Sequence, residues 1–213
     1  MYYSMDVVNS DLVNLDQKHE RYLLAQRNLT VNDKDSILIS FRKYYSSISN
    51  FLPEKCNSVL DIGCGLGITN LFVFEHYKRD KNIVFNLFDK TEYPDELYFG
   101  FKEKAAFYND LDLAKNVLID YGIAQNNINA IDAKKENLEN LTDIDIVISS
   151  IAWGFHFPVS VYINEVVKLM HHESVLILDI RKGTNGLEEL NNFFHCKKIL
   201  EGKKSIRLVC SKK

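Results

Sequence analysis

The stretch that decides the fold reads VLDIGCGLG at residues 59–67. Apolar residues suited to a short buried strand lead into three glycines at alternate positions, and a helix-like segment follows at 68–77. A strand, a tight glycine turn and a helix start form a ligand-binding unit, because a backbone without side chains lets a ligand approach the helix N-terminus. The sequence therefore predicts a ligand loop at residues 63–67.

The spacing of these glycines separates the loop from two phosphate-binding patterns. A dinucleotide fingerprint needs a glycine where Ile68 stands, and a P-loop needs Gly-Lys-Ser/Thr, which is absent here. Asp61 precedes the loop, and its negative charge disfavours a bound pyrophosphate. We therefore expect a cationic or zwitterionic ligand.

Strand-like and helix-like segments alternate beyond this unit. Strands are predicted at 58–62, 82–88, 128–131, 144–149, 175–180, 196–200 and 205–210, and helices at 68–77, 110–121, 159–170 and 186–194. This alternation predicts parallel βαβ units, and the short connection at 201–204 predicts a hairpin. We expect an α/β, Rossmann-like fold with a seven-stranded, mostly parallel sheet, one antiparallel strand and helices on both faces.

The first 55 residues read as helices. Residues 30–33 resemble a capping box, and Pro53 ends an amphipathic helix whose apolar face carries Ile37, Phe41, Tyr44, Ile48 and Phe51. We therefore expect an N-terminal helical extension that caps the substrate at 1–55, and the main domain at 56–213.

Composition excludes several classes of protein. The chain has 213 residues, with 26 Lys and Arg against 29 Asp and Glu, so the net charge of −3 argues against a dedicated nucleic-acid binder. With 46% hydrophobic residues the chain is not disordered. Neither a membrane span nor a signal peptide is evident, and the four cysteines form no CxxC or zinc spacing. We expect reduced cysteines and a cytoplasmic protein.

Asp89 directly follows the second predicted strand, where a carboxylate can accept hydrogen bonds from ribose hydroxyls. The alternative is that the glycines only make a turn and that Asp89 caps a helix. The glycine loop is followed by a helix, a second strand and this acid in that order. With this arrangement, residues 55–213 resemble the class I S-adenosylmethionine-dependent methyltransferases. The resemblance implies S-adenosylmethionine as cofactor and S-adenosylhomocysteine as product.

The resemblance also implies which residues bind the cofactor. The loop would hold its methionine part, Asp89 its ribose, and Asp132, at the end of the third strand, its adenine amino group; a loop-capping role for Asp132 is the alternative. The full set of expected cofactor residues is Asp61, Gly63, Cys64, Gly65, Gly67, Asp89, Lys90, Asp132, Ala133 and Ser149.

The acceptor is expected at the carboxyl ends of the strands. Residues 149–158 follow the fourth strand and lack the Pro-Pro pair typical of base amino-methyltransferases, whereas Asp143 and Asp145 precede it and are expected to be structural. His156 is the candidate general base for a hydroxyl acceptor, since the pKa of histidine lies near neutrality. The alternative is that His156 caps or packs beside Trp153.

Other acceptor residues are predicted with alternatives. Trp153 either walls the acceptor pocket or lies in the core. Arg181 and Lys182 leave the fifth strand and either bind an anionic acceptor or form a solvated charge pair. His19, on the predicted N-terminal helix, is a second and weaker candidate for the base and is expected to contact the acceptor. No metal site is expected, although Asp179 is the main candidate ligand.

Further features resemble a smaller group. The aromatic-rich residues 92–108, predicted to form a lid, the run WGFHFP at 153–158 and IRKG at 180–183 look like bacterial small-molecule or sugar O-methyltransferases linked to surface polysaccharide and capsule. This resemblance implies a small polar acceptor, with no nucleic-acid or membrane partner. The alternatives are a protein or RNA methyltransferase, which needs an open basic face, and a non-catalytic partner subunit, which would have an eroded glycine loop. The histidines at 171 and 172 are expected to end a helix.

Overall fold

The computed structural model describes Val13, residues 33–92 and residues 109–213. These residues form one seven-stranded sheet with the order β3-β2-β1-β4-β5-β7-β6. The strands are β1 Ser58–Ile62, β2 Val84–Asp89, β3 Ile128–Asp132, β4 Ile144–Ser149, β5 Met170–Arg181, β6 Phe194–Glu201 and β7 Ser205–Lys212. Within this sheet β7 is the one strand that runs antiparallel to the other six. The predicted fold is confirmed.

Five α-helices lie in the described part of the chain: α1 Asp33–Ile48, α2 Ile68–His76, α3 Leu111–Tyr121, α4 Ile163–Leu169 and α5 Gly186–Asn191. Short 3₁₀ turns lie at Ser49–Phe51, Gln125–Asn127 and Val159–Val161. Capping residues define the two ends of α3. Asp110 caps α3 by accepting from the backbone of Asp112 and Leu113, and Gly122 ends it in the left-handed conformation with φ of 109°.

Helices cover both faces of the sheet, as expected. Because side chains alternate along a strand, Val59 and Ile148 pack under α1, α2 and α3, whereas Leu60 and Val147 pack under α4 and α5. Both faces of the central strands are therefore buried, and polar groups that serve a ligand must lie at the strand ends.

Two predicted boundaries are wrong. The helix expected at 159–170 ends at Leu169, and β5 begins at Met170, so His171 and His172 lie in a strand instead of at a helix C-terminus. His171 places its Nε2 3.0 Å from the Asp145 carboxylate, which also accepts from the backbone of Asn57 and Ser58. This tertiary contact joins β5 to β4, and β5 begins five residues before its predicted start at residue 175. The last helix ends early, at Asn191, because Phe194 already belongs to β6.

The helix α1 belongs to the same core as the sheet. Tyr45 stacks on Phe72 of α2 at 5.5 Å between ring centroids, and its hydroxyl lies 2.8 Å from Nδ1 of His76. Ile48 is fully buried. The boundary between residues 55 and 56 stays a prediction, and His19 lies outside the described residues.

The oxidation state of the cysteines differs from the prediction. Cys196 and Cys210 face each other across β6 and β7 and form a disulfide, so the prediction that all four are reduced is wrong for this pair. Their opposed positions in the hairpin bring the two sulfur atoms together. Cys56 and Cys64 are free thiols. Among the described helices, none is long and apolar enough to cross a membrane.

Candidate cofactor and active site

The loop between β1 and α2 is built for glycine. Gly63, Gly65 and Gly67 have φ of 73°, 55° and 70°, a region that side chains rarely adopt. A Cβ on Gly63 would lie 2.3 Å from the Cβ of Ala152, which follows β4. The glycine loop therefore packs directly against the chain that leaves β4.

Asp89 orients this loop from the end of β2. Its Oδ2 accepts from the Gly65 N–H at 3.0 Å, and its Oδ1 accepts from the Lys90 N–H at 2.8 Å. Burial raises the pKa of Asp89 to about 6, although both hydrogen bonds oppose the shift. Each carboxylate oxygen has a second lone pair, so Asp89 can still accept from ligand hydroxyls. It caps the glycine loop and not a helix.

Asp61 lies beneath the loop and is 2% exposed. Asn70, on the first turn of α2, donates from Nδ2 to Asp61 Oδ2 at 2.7 Å. Burial raises the pKa of Asp61 to about 7, against this hydrogen bond, and the nearby Asp89 raises it further. Burial likewise raises the pKa of the Cys64 thiol, so Cys64 stays protonated near neutral pH. Asp61 is thus an acid that a cation would stabilise.

The predicted adenine residues lie beside Asp89. Asp132 is its partner in the parallel pairing of β2 and β3, and the Ala133 N–H donates to the Asp89 carbonyl at 2.9 Å. Burial opposes a lower pKa for Asp132, but hydrogen bonds from the Lys134 N–H and the Lys135 side chain outweigh it. Asp132 is therefore ionised at neutral pH, beside the proposed ribose acid.

Lys90 holds its cation close to the sheet edge through an ion pair with Glu92 at 2.5 Å. Glu92 also pairs with Lys134 and exchanges two backbone hydrogen bonds with Asn109. These contacts join the two ends of the segment predicted as a lid. Its remaining residues, 93–108, lie outside the described part of the chain.

Ser149 and Trp153 make contacts that support the site from within. The Ser149 hydroxyl donates to the Ile62 carbonyl and accepts from the Trp153 N–H, both at 2.8 Å. Trp153 is fully buried, and its indole donates to the Val159 carbonyl at 2.9 Å. These contacts favour a packing role for Trp153 over the predicted acceptor wall.

His156 lies on the tight loop after β4 and is 9% exposed. Its ring meets the Phe155 ring edge-on at 4.9 Å, and its backbone N–H donates to the Ala152 carbonyl. Arg181 locks the same loop from β5: its Nε donates to the Phe155 carbonyl at 2.9 Å, and its guanidinium lies 4.6 Å from the Phe155 ring centroid. The imidazole is thereby held at the carboxyl end of β4.

Lys182 does not join Arg181. Its side chain pairs with Glu201 at 2.6 Å, and its backbone N–H donates to the Lys204 carbonyl. Lys182 is the first residue after β5 and its ammonium is engaged by Glu201 of β6, whereas Arg181 is engaged by the loop after β4.

The comparisons with known proteins agree with this arrangement. No family model matches the chain, and no curated protein matches it. Among solved structures it is similar to precorrin-6y C5,15-methyltransferase from Geobacter metallireducens, with a TM-score of 0.50, 16% identity and coverage of 78% of this chain and 85% of that one. A putative O-methyltransferase from Nostoc punctiforme follows with a TM-score of 0.53, 15% identity and coverage of 81% and 58%.

A 16S rRNA methyltransferase of T. thermophilus in complex with AdoMet and guanosine gives a TM-score of 0.52, 12% identity and coverage of 81% and 43%. The sheet order and the glycine loop complete the likeness. This chain has the class I methyltransferase fold. At these identities the likeness concerns the fold, and this chain spans only part of the second and third of these proteins.

Three polar residues that the sequence did not indicate lie near the carboxyl edge of this methyltransferase fold. Arg207 of β7 donates from Nε and Nη2 to the two oxygens of Asp179 at 2.9 and 2.8 Å, and from Nη1 to Ser47. Asn70 and Tyr44 complete the set. Arg207 was detectable, since a cation inside an apolar strand needs a buried partner.

Asp179, the candidate metal ligand, is thus engaged by Arg207. Among the described residues no three His, Cys, Asp or Glu side chains gather as a metal site.

We expect Asp61→Asn to raise the melting temperature at pH 8. The folded-state pKa of Asp61, about 7, exceeds its usual value of 3.8, so the stability it contributes at low pH is lost as the pH rises through 7. Asparagine keeps the oxygen that accepts from Asn70 and removes the buried charge. One pKa unit corresponds to about 1.4 kcal/mol and one kcal/mol to about 2–4 °C, so we expect a gain of several degrees.

The gain should shrink toward pH 4 in a calorimetric series. Asp179→Asn is the matched control, because it breaks a buried ion pair and should lower the melting temperature at pH 8. A loss of stability in Asp61→Asn at pH 8 would contradict the prediction.

Proposed function

We propose that this protein is an S-adenosylmethionine-dependent methyltransferase that transfers a methyl group to an oxygen of a small polar acceptor. The observation that carries the proposal is Asp89, which binds the glycine loop through the Gly65 N–H and keeps acceptor capacity for ribose hydroxyls. The fold supports the same cofactor. When bound, the cofactor supplies an activated methyl group on a sulfonium centre.

The residues present fit that cofactor. Asp61 is a buried carboxylate whose hydrogen bond among the described residues comes from the neutral amide of Asn70. A carboxylate in this state suits the ammonium group of the cofactor. Asn70 Oδ1 is buried and has no hydrogen-bond partner within the described residues. Asp89 would bind the ribose, and Asp132 with Ala133 the adenine. The glycines admit the ligand close to the backbone.

The acceptor end supports oxygen as the target atom. His156 is held at the carboxyl end of β4, where it would take the proton of an acceptor hydroxyl. Arg181 lies at the end of β5 and supplies positive charge for an acceptor with a phosphate or carboxylate. We propose a phosphorylated or sugar-linked acceptor of the kind used in capsule and surface-polysaccharide synthesis, and a cytoplasmic reaction.

Ligand-induced stabilisation tests the cofactor. S-adenosylmethionine and S-adenosylhomocysteine should raise the melting temperature, since a ligand that binds only the folded state stabilises it, whereas NAD should not. Asp89→Ala should weaken S-adenosylhomocysteine binding at least tenfold in calorimetry, as expected for hydrogen bonds to a charged group. Asp80→Ala, a turn aspartate ahead of β2, is the control and should bind normally. Stabilisation by NAD alone would overturn the proposal.

An acceptor screen tests the substrate class. S-adenosylhomocysteine release should appear with phosphorylated sugars or nucleotide-linked metabolites and should be absent with RNA or protein. Turnover of RNA alone would keep the methyltransferase proposal and reject the small acceptor.

A further inference from the structure

Helix α1 directs one phenol toward the carboxyl ends of the central strands. Tyr44 is 5% exposed, and its hydroxyl has no hydrogen-bond partner among the described residues. Its ring centroid lies 3.9 Å from the Arg207 guanidinium. Arg207 is itself fixed by two hydrogen bonds to Asp179 and one to Ser47, whose hydroxyl donates to the Tyr44 carbonyl at 2.6 Å. The phenol is therefore rigidly held.

The charges around Tyr44 locate its hydroxyl. Burial raises the pKa of Tyr44 well above its usual value, and Asp179 and Asp61 raise it further, while Arg207 and a weak hydrogen-bonding contact with the Ser150 side chain lower it. Asp61 belongs to β1, Asp179 to β5, and Ser150 follows β4. The hydroxyl thus interacts with residues at the carboxyl ends of three adjacent strands. It stays protonated at neutral pH and is available as a donor.

A second unsatisfied atom lies on the side chain that binds Asp61. Asn70 donates to Asp61, yet its Oδ1 is buried and has no partner within the described part of the chain. Buried polar atoms without partners are rare and costly in native proteins, so a ligand that pairs with both is expected. A donor at Tyr44 and acceptors at Asn70 and Asp61 complement a group that carries a carboxylate and an ammonium together.

We propose that the Tyr44 hydroxyl binds the carboxylate of the amino-acid end of the cofactor, while Asp61 and Asn70 bind its ammonium group. The inference rests on the proposed function and deepens it, because it gives the N-terminal helix a direct part in the cofactor site. The buried Arg207–Asp179 pair holds the phenol in place.

Two ligands that differ only in the amino-acid end test the inference. S-adenosylhomocysteine carries that end, whereas 5′-methylthioadenosine keeps the adenosine and the thioether sulfur and lacks it. In calorimetry, Tyr44→Phe should weaken S-adenosylhomocysteine about tenfold or more and leave 5′-methylthioadenosine within about twofold, since a hydrogen bond to a charged group is lost. The ring contact with Arg207 is kept in this variant.

Tyr45→Phe is the matched control. Its hydroxyl contacts His76 instead of the strand ends, so the ratio of the two affinities should not change. Equal weakening of both ligands by Tyr44→Phe, or no weakening of S-adenosylhomocysteine, would overturn the inference. If the wild-type protein binds neither ligand, the proposed function itself fails.

Discussion

His156→Ala is expected to lower kcat by about 10²–10⁴-fold with a neutral hydroxyl acceptor, the usual contribution of a positioned general base. The loop that carries His156 is fixed by Arg181 and by the hydrogen bond from Gly154 to the Phe157 carbonyl, so alanine removes the imidazole without releasing the backbone. Release of S-adenosylhomocysteine measures the rate. Cofactor affinity should survive, because the proposed cofactor contacts come from other residues.

The pH dependence separates a base from a packing residue. Only neutral imidazole accepts a proton, so the wild-type rate should rise with pH across the histidine titration, and the slope should vanish in His156→Ala. His195→Ala is the control, since His195 is exposed on β6. An anionic acceptor oxygen needs no base, so the comparison requires a neutral acceptor. Near wild-type turnover of such an acceptor by His156→Ala would remove the base assignment.

Gly63→Ala is expected to destabilise the protein strongly and to abolish cofactor binding. Its new Cβ would lie 2.3 Å from the Cβ of Ala152, so the glycine loop or the chain after β4 must move. Overpacking costs about 1–3 kcal/mol, and the strained backbone adds to it. At about 2–4 °C per kcal/mol, we expect a loss of roughly 6 °C or more. Thermal unfolding and calorimetry with S-adenosylhomocysteine measure both effects.

Two variants separate the clash from the strain. Gly183 has φ of 80°, and a Cβ added there would meet nothing within 4 Å, so Gly183→Ala carries strain alone and should cost far less. Gly63→Ala combined with Ala152→Gly removes the methyl group that is struck and should restore much of the stability and binding. A double variant as unstable as Gly63→Ala would show that the contact with Ala152 is not the cause.

Much of the fold was predictable because its signals are local. The largely apolar run 59–62, the glycines after it and Asp89 indicate a strand, a turn and an acid at a strand end, and the structure joins them through the Gly65–Asp89 hydrogen bond. Asp110 and Gly122 likewise mark both ends of α3. The length of β5 was not predictable, since it depends on the contact between His171 of β5 and Asp145 of β4, which are 26 residues apart in the chain.

The sequence by itself determined the order of strands and helices and the position of the glycine loop, because burial and turn geometry leave patterns among neighbouring residues. Only the tertiary structure decided which distant side chains meet. Tyr44 read as one apolar position on a helix face, and Arg207 as a cation in a strand. The antiparallel register of β5 and β7 sets Arg207 opposite Asp179, and packing of α1 on the sheet places Tyr44 above them. Such contacts depend on strand pairing and helix packing, which no local pattern specifies.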